Sequence, residues 1–244
     1  MILFLNCIAD PAVRSRFDAR IVPRLAALAG APFAVAHLFG AGPRPGPADA
    51  SHLVITGSEL SAARDHPHDA ELCRTIRDFV EAGRPVLGIC YGHQMLARAF
   101  GGACRRAERP EFGWKAVDLR PSPIFAGIDS LVTAHSHYDE VDRLPAEFEV
   151  LASTDRCEVQ AFRYGGAHVY GVQFHPEMTR EDGQRMFAEN VEADPAIARH
   201  LTDDLPDPSL LAANDRIFTN FFAAGRSAGN DRDCHGTREG RSAT

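Results

Sequence analysis

The segment at residues 88–92, Gly-Ile-Cys-Tyr-Gly, restricts the possible folds of this chain more than any other. An apolar run at residues 85–89 leads into it, and residues 91–100 leave it with a helical pattern. A cysteine between two glycines at such a junction is typical of a nucleophile elbow, where neighbouring side chains would collide with the strand or the helix. The alternative is a buried structural cysteine beside two packing glycines.

Strand and helix patterns alternate along the first half of the chain. We predict strands near residues 1–9, 31–39, 52–56 and 85–89, and helices near residues 12–30, 68–83 and 91–100. Such alternation is typical of a parallel sheet with helices on both faces.

The second half has more strand patterns than the first. We predict strands near residues 114–119, 131–137, 147–152, 158–164 and 167–174, and helices near residues 179–193 and 207–224. A Gly-Gly pair at 165–166 is a good hairpin turn between the last two strands. The sequence therefore predicts an α/β fold with a mostly parallel central sheet and a β-rich second half.

Charge and hydropathy exclude several classes of function. The formal net charge is -7 without a basic stripe, which argues against a general nucleic-acid binder. No run reaches the roughly 18 apolar residues that a membrane helix needs, and the N-terminus lacks the basic region of a signal peptide. We expect a cytoplasmic protein with one domain over residues 1–225 and a polar, disordered tail over residues 226–244.

The six cysteines are scattered and contain no C-x-x-C pair, which removes the commonest zinc signal. Apart from Cys90, we expect reduced thiols that pack in the core. His135 and His137 share one face of a strand, as metal ligands can, but no further ligand stands at a clear spacing. We therefore predict neither a metal nor a cofactor.

Cys90 is the candidate nucleophile. A thiol at a helix N-terminus is favoured as thiolate by the helix dipole, and the backbone N–H of Tyr91 can face a developing oxyanion. The candidate base is His175, which follows a strand, and Glu177 can orient its ring. Taken alone, the His-Pro-Glu sequence is weak evidence, because a surface histidine and a surface glutamate after a strand give the same pattern.

Taken together, these segments resemble the class I glutamine amidotransferases. The resemblance covers roughly residues 50–180 and rests on Gly-x-Cys-x-Gly-His-Gln at 88–94 followed by Gly-Val-Gln-Phe-His-Pro-Glu at 171–177. It implies a flavodoxin-like three-layer sandwich with a Cys90–His175–Glu177 triad that cleaves a γ-glutamyl amide.

The resemblance also implies a substrate site. The Thr-Gly-Ser loop at 56–58 resembles the family's oxyanion loop, which assigns Gly57 and Ser58 to the site. Gln94 matches a glutamine that helps to hold the amino-acid part of the substrate. Ser136 and His137 lie in a Ser-His-x-Asp segment like that of GMP synthase-type enzymes, whose backbone contacts that same part. A Glu-Phe-Gly sequence at 111–113 resembles an acidic-x-Gly element common after the nucleophile helix.

Two departures from the family pattern bear on function. The loop at Gly57 reads Gly-Ser-Glu where many members have Gly-Gly-Pro, and a Gly-Ser version is similar to the plant γ-glutamyl peptidases. Glu59 is therefore expected to alter what binds beside the γ-glutamyl group. The second departure is that no synthetase or ATP-binding module lies in the chain.

Several functions stay open at this level. The chain is either a glutaminase subunit that supplies ammonia to a separate synthetase or a free-standing hydrolase of γ-glutamyl peptides and conjugates. A non-catalytic binding relative is disfavoured, because all three triad residues are present. The DJ-1-like family also places a cysteine in such an elbow, but it does not predict a later His-Pro-Glu. The expected partners are a small γ-glutamyl compound such as glutamine and, for the first of these functions, the synthetase.

Overall fold

The computed structural model describes residues 1–202 and 206–223. The predicted tail at 226–244 and Cys234 lie outside these residues. Within the described ranges the strands are β1 Ile2–Asn6, β2 Phe33–His37, β3 His52–Ile55, β4 Val86–Ile89, β5 Ala103–Leu119, β6 Leu131–Arg143, β7 Phe148–Ser153, β8 Ala161–Tyr164, β9 Val169–Val172 and β10 Leu201–Thr202. The α-helices of this described part are α1 Pro11–Ala29, α2 Asp69–Glu81, α3 Tyr91–Ala99, α4 Arg180–Ala193 and α5 Pro208–Ala223. Short 3₁₀ turns lie at Pro123–Phe125 and Pro195–Arg199.

The strands form one mixed sheet in the order β10-β5-β7-β8-β9-β4-β3-β1-β2, and β6 pairs with β5. The strands β2, β1, β3, β4 and β9 run parallel. The pairs among β5 to β9 on the other side are antiparallel. The prediction of a mostly parallel sheet is therefore right for one half only.

The reason for the antiparallel half is the length of its connections. Gly165 and Gly166 both have positive φ, 61° and 69°, and form the predicted hairpin turn between β8 and β9. Parallel strands need a long crossover, whereas a tight turn can join antiparallel strands only.

Strand β5 begins much earlier than the sequence pattern predicts, at Ala103 instead of near residue 114. Its first part is rich in arginine and contains Pro110, which obscures the strand pattern. The pairing with β6 shifts register between Arg106 and Glu111. A bulge is where a strand tolerates a proline, because no ladder N–H is required there.

Helices cover both faces of the sheet, as predicted. On one face, α1 and α5 pack over the sheet in a core that includes Phe17, Ile21 and Phe218. On the other face, α2 and α3 bury Leu72, Ile76 and their neighbours. In the described part of the chain, no helix is long and apolar enough to cross a membrane.

Candidate active site

The elbow at Cys90 has the geometry that the two glycines predict. Cys90 is the one non-glycine residue of positive φ among residues 1–202 and 206–223, with φ 50° and ψ -104°. A Cβ on Gly88 would lie 2.4 Å from the carbonyl oxygen of Gly92, and a Cβ on Gly92 would lie 2.5 Å from that of Ile55. Glycine is thus sterically required on both sides of a strained residue, a kind of strain that clusters at functional sites.

His175 and Glu177 lie together beside the elbow. The Nδ1 atom of His175 is 2.7 Å from Oε1 of Glu177, and both side chains are buried. The backbone N–H of His175 donates to the carbonyl oxygen of Ala134 on β6, which fixes the ring's position after β9. A carboxylate on Nδ1 orients the ring so that Nε2 can act as the base.

Gly57 brings the nucleophile and the histidine to one point. A Cβ at this position would be 3.0 Å from Cε1 of His175 and 3.5 Å from Cβ of Cys90. The ends of β3, β4 and β9 meet here, at the carboxyl edge of the parallel strands where open α/β sheets bind ligands. The structure thus places Gly57, Cys90 and His175 in contact range of one another.

Electrostatics favour a charged imidazole at His175. Burial disfavours the charged ring, but the Glu177 carboxylate and the negative charge and hydrogen bond of Cys90 outweigh it and raise the pKa of His175 well above its ordinary value. A histidine that holds its proton beside a thiol is suited to stabilise a thiolate–imidazolium pair.

The other described cysteines are free and poorly suited to react. Burial raises the pKa of Cys104 and of Cys157 to about 12, and it also raises the pKa of Cys7 and Cys73. These thiols remain protonated at neutral pH, and the thiolate is the reactive form. Cys90 is the cysteine that lines the active-site cleft.

A cleft of about 530 Å³ opens over the triad. Its wall contains all but one of the residues predicted from the sequence, namely Gly57, Ser58, Cys90, Gln94, Ser136, His137, His175 and Glu177. The exception is Tyr91, whose side chain is buried behind the elbow and donates to Asp69. Its backbone N–H lies in the first turn of α3, where amides have no intrahelical partner, and remains a candidate oxyanion donor.

The side chain of Gln94 is held by two hydrogen bonds, both donated by its amide nitrogen. Its Nε2 donates to the carbonyl oxygen of Asp139 at 2.9 Å and to Oε1 of Gln173 at 3.0 Å. Both amide hydrogens are therefore used inside the protein. The remaining Oε1 is an acceptor, which suits an α-ammonium group rather than a carboxylate.

The loop after β3 is held by a contact that sequence reasoning did not foresee. Glu59, expected to change what binds near the substrate, lies at the cleft but accepts the backbone N–H groups of Ala9 and Asp10 at 2.8 to 3.1 Å. Its carboxylate thus ties the Gly57 loop to the turn between β1 and α1.

The sequence analysis missed two more side chains, of which Asn190 lines the cleft and Arg24 contacts the backbone of Glu177. Asn190 on α4 donates to Oγ of Ser136 at 2.7 Å. Arg24 on α1 donates to the backbone carbonyl oxygen of Glu177 at 2.7 Å and pairs with Asp215 on α5. Neither residue lies in a recognisable motif, so only the packing of the helices reveals these contacts.

One cluster in the described residues has the composition of a metal site. The ligand atoms of Glu111, His135 and His137 lie within 4.8 Å of one another, and all three side chains are buried. The carboxylate of Glu111 already accepts hydrogen bonds from Thr154 and Gln160, at 3.0 and 2.5 Å. Nδ1 of His135 lies 4.0 Å from Oε2 of Glu111, which is wider than the roughly 3.3 Å ligand separation of tetrahedral zinc with bonds of about 2.0 Å. The cluster therefore fits a hydrogen-bonded network better than a cation.

Comparisons with known proteins agree with this geometry. Residues 52–193, more than half of the chain, match the family model described as glutamine amidotransferase class-I. The chain is 48% identical over 132 residues to the glutamine-hydrolyzing GMP synthase subunit from Methanopyrus kandleri, covering 53% of this chain and 67% of that protein.

A second relative and a solved structure extend the comparison. The corresponding GMP synthase subunit from Methanosphaera stadtmanae is 44% identical over 96 residues, which are 38% of this chain and 52% of the relative, so the chain spans about half the relative's length. The crystal structure of a glutamine amidotransferase from Thermotoga maritima superimposes with a TM-score of 0.73 at 21% identity. That match covers 92% of this chain and 98% of the other, and it supports the fold.

Proposed function

The chain belongs to the class I glutamine amidotransferase family, and we propose that it hydrolyses the γ-amide of glutamine and releases ammonia for a separate synthetase. The observation that carries the proposal is the convergence of Cys90 and His175 on Gly57, with Glu177 on the far side of the ring. Two relatives are named as subunits of glutamine-hydrolyzing GMP synthases, which supports a synthetase in another chain. The domain that carries the activity is proposed to span residues 1–225.

The reaction proceeds through a thioester. The Cys90 thiolate attacks the γ-carbonyl carbon, and the backbone N–H groups of Gly57 and Tyr91 stabilise the oxyanion. The C–N bond breaks as His175 gives its proton to the departing nitrogen, so ammonia leaves and a γ-glutamyl thioester remains. Water then attacks the thioester, His175 accepts a water proton, and glutamate leaves as the thiolate is restored.

The α-amino and α-carboxylate groups of the substrate lie on the opposite wall of the cleft. The oxygen of Gln94 accepts from the α-ammonium, because both of its amide hydrogens are already used. Ser58, Ser136 and His137 complete this part of the site.

A second candidate function, hydrolysis of γ-glutamyl peptides or conjugates, is favoured by the extent of the cleft. The cleft continues past the nucleophile between α1 and α4, where Phe17 and Met186 provide apolar surface and Arg185 provides a charge. A leaving group larger than ammonia fits in such a space. Turnover of glutamine measured against γ-glutamyl peptides and γ-glutamyl amines decides between the two functions.

The nucleophile is tested by covalent labelling with a glutamine-like diazo ketone. Intact-mass spectrometry is expected to show one adduct on the wild type and none on Cys90→Ala. Cys157→Ala is the matched control and is expected to label like the wild type, because that thiol is buried and protonated. An adduct that persists in Cys90→Ala contradicts the assignment.

A further inference from the structure

The substrate wall of the cleft, formed by Gln94, Arg106, Ser136 and Tyr138, contains a cation that the proposed reaction leaves without a role. Arg106 extends from β5, and its guanidinium carbon lies 3.8 Å from the centre of the Tyr138 ring on β6. Its Nη1 is 3.4 Å from Oδ1 of Asp139, whose side chain is buried. Stacking on an aromatic ring and one ion pair restrict the orientation of the guanidinium. Arg106 is therefore a positioned charge at the cleft.

Most hydrogen-bond donors of Arg106 are free for a ligand. A guanidinium has five N–H groups in a planar fork, and the contact with Asp139 uses Nη1. Within residues 1–202 and 206–223, the other N–H groups of Arg106 have no hydrogen-bond partner. The side chain is 59% exposed, so these donors are open to the cleft that it lines. A fork of this kind matches the two oxygens of a carboxylate.

Asp139 joins this cation to the acceptor proposed for the α-ammonium group. Its backbone carbonyl oxygen accepts from Nε2 of Gln94 at 2.9 Å, while its carboxylate pairs with Arg106. One residue thus holds both a neutral acceptor, Oε1 of Gln94, and a cation. In an α-amino acid the ammonium and the carboxylate are bonded to the same carbon, so a site for both requires an acceptor and a cation close together.

Ser136 offers a further donor on the same wall. It lies two residues before Tyr138 on β6, so the two side chains are on the same face of the strand. Nδ2 of Asn190 on α4 donates to Oγ of Ser136 at 2.7 Å. This bond leaves the hydroxyl hydrogen free, because a hydroxyl has one donor and two acceptor sites. A carboxylate at the wall therefore finds donors on both a guanidinium and a hydroxyl.

The strands that carry the wall also contain negative charge. Besides Asp139 they contain the buried Glu111, which lies opposite His137 in the β5–β6 pair. Burial opposes the charge of Glu111, but the neighbouring His137 and His135 rings lower its pKa to about 2, so it is an anion at neutral pH. Like charges repel, so a ligand carboxylate at these strands requires a compensating cation.

The other arginines that line the cleft belong to its helical side. Arg16 and Arg20 are on α1 and Arg185 is on α4, and Nε of Arg20 lies 2.9 Å from Oδ1 of Asp182. These helices border the part of the cleft that is open to a larger leaving group. Arg106 is thus the arginine that lies with Gln94 on the substrate wall.

We propose that Arg106 binds the α-carboxylate of the γ-glutamyl substrate while Gln94 accepts from its α-ammonium group, so that the two residues select a free α-amino-acid end. The inference rests on the proposed function for the γ-glutamyl substrate and adds the residue that recognises its negative charge. Asp139 and Tyr138 are positioning residues, because they act through the guanidinium. The same selection applies to glutamine and to γ-glutamyl peptides, since both have this α-amino-acid end.

The kinetic test compares L-glutamine with L-glutamine α-amide, in which a neutral amide replaces the α-carboxylate. The wild type is expected to hydrolyse glutamine with a kcat/KM roughly 10- to 100-fold above that for the α-amide, the value of a hydrogen bond to a charged group. Arg106→Gln is expected to raise KM for glutamine by about the same factor, with kcat within a few-fold, and to leave the α-amide unaffected. An equal rise of KM for both substrates would indicate a structural role and overturn the proposal.

Two variants of the same strand complete the kinetic test, with folding checked by circular dichroism. Arg106→Lys keeps the charge without the fork and is expected to retain part of the discrimination. Arg105→Gln is the matched control, because Arg105 pairs with Glu140 and Asp142 and does not line the cleft. It is expected to discriminate like the wild type. Loss of discrimination in Arg105→Gln would indicate a general effect of charge and contradict the assignment to Arg106.

Binding to Cys90→Ala separates this proposal from the proposed function. Calorimetric titration of Cys90→Ala with glutamine and with its α-amide measures affinity without hydrolysis. Tighter binding of glutamine that is lost in Cys90→Ala/Arg106→Gln supports the carboxylate site even if the wild type does not hydrolyse glutamine, and in that case only the proposed function fails. Equal affinity of Cys90→Ala for the two ligands, or no binding of either, overturns the proposal.

Discussion

The parallel and antiparallel halves of the sheet both line the cleft, but they contribute in different ways. The parallel half presents Cys90, Gly57 and His175 where its strands end, and the backbone sets their positions. The antiparallel half presents Ser136 and His137 from within a long strand, supported by buried side chains. Under the proposed function, the chemistry therefore depends on strand ends and tight turns, whereas substrate positioning depends on a polar core.

Substitutions at the nucleophile or the base disable the parallel half and are expected to be the most damaging. Cys90→Ala and His175→Ala each remove the covalent route, so each is expected to lower kcat by at least about 10⁴-fold. The double variant is expected to be no worse than either single variant, because the two residues act as one unit. Steady-state kinetics of the three variants provide the measurement. Near wild-type turnover in His175→Ala, with His137→Ala inactive, would move the base to the antiparallel half.

Acid is expected to act mainly on the antiparallel half. The pKa of Glu111 is lowered to about 2 in the folded protein, so its stabilisation is present above the unfolded pKa of about 4.5 and is lost as the pH falls toward 2. The shift corresponds to roughly 3 kcal/mol. Urea unfolding at neutral pH and at about pH 3 is expected to show a smaller loss for Glu111→Gln than for the wild type. Equal losses would show that this carboxylate does not control acid stability.

Glu177→Gln tests how the Glu177 carboxylate changes the pKa of His175, the proposed base at the end of the parallel half. Removal of the charge leaves nucleophile and base in place, so a measurable remainder is expected, roughly 10²- to 10⁴-fold below the wild type. Because the carboxylate raises the pKa of His175, the imidazolium that pairs with the thiolate is lost at lower pH in the variant. The alkaline limb of the kcat/KM profile is expected to move to lower pH. An unmoved limb would mean that Glu177 only orients the ring.

Gln94→Ala tests whether this side chain acts in substrate binding or in the chemical step. The side chain lines the cleft and is joined to the antiparallel half through Asp139. Its removal is expected to raise KM for glutamine about tenfold with little change in kcat. Initial rates over a range of glutamine concentrations give both constants. A fall in kcat alone would contradict a binding role.

Arg24→Ala is expected to have the mildest consequence of these substitutions. This side chain supports the backbone of Glu177 from α1 and pairs with Asp215 on α5. The loss of one hydrogen bond of about 1 kcal/mol is expected to lower kcat a few-fold and leave KM unchanged. Ser15→Ala, at an exposed position of the same helix outside the cleft, is the control. Identical kinetics of the two variants would remove Arg24 from the support of the triad.

Local sterics and local pattern were enough to predict much of this protein from its amino-acid sequence. Alternating apolar runs predicted nearly every helix and strand, and two glycines around Cys90 predicted a turn that accepts no other residue beside the nucleophile. The ordered motifs identified the family and named the triad, and the comparisons confirm the family. These features are readable because each is encoded within a few neighbouring residues.

The pairing of the second half of the sheet and the support of the substrate wall follow from packing in three dimensions. The register of β5 against β6 depends on a bulge beside Pro110, and this register places Glu111 opposite His137. Glu59 and Arg24 likewise act on partners at least 49 residues away in the chain. Contacts of this kind depend on how separate elements pack, and a one-residue change of register would turn each side chain to the other face of the sheet.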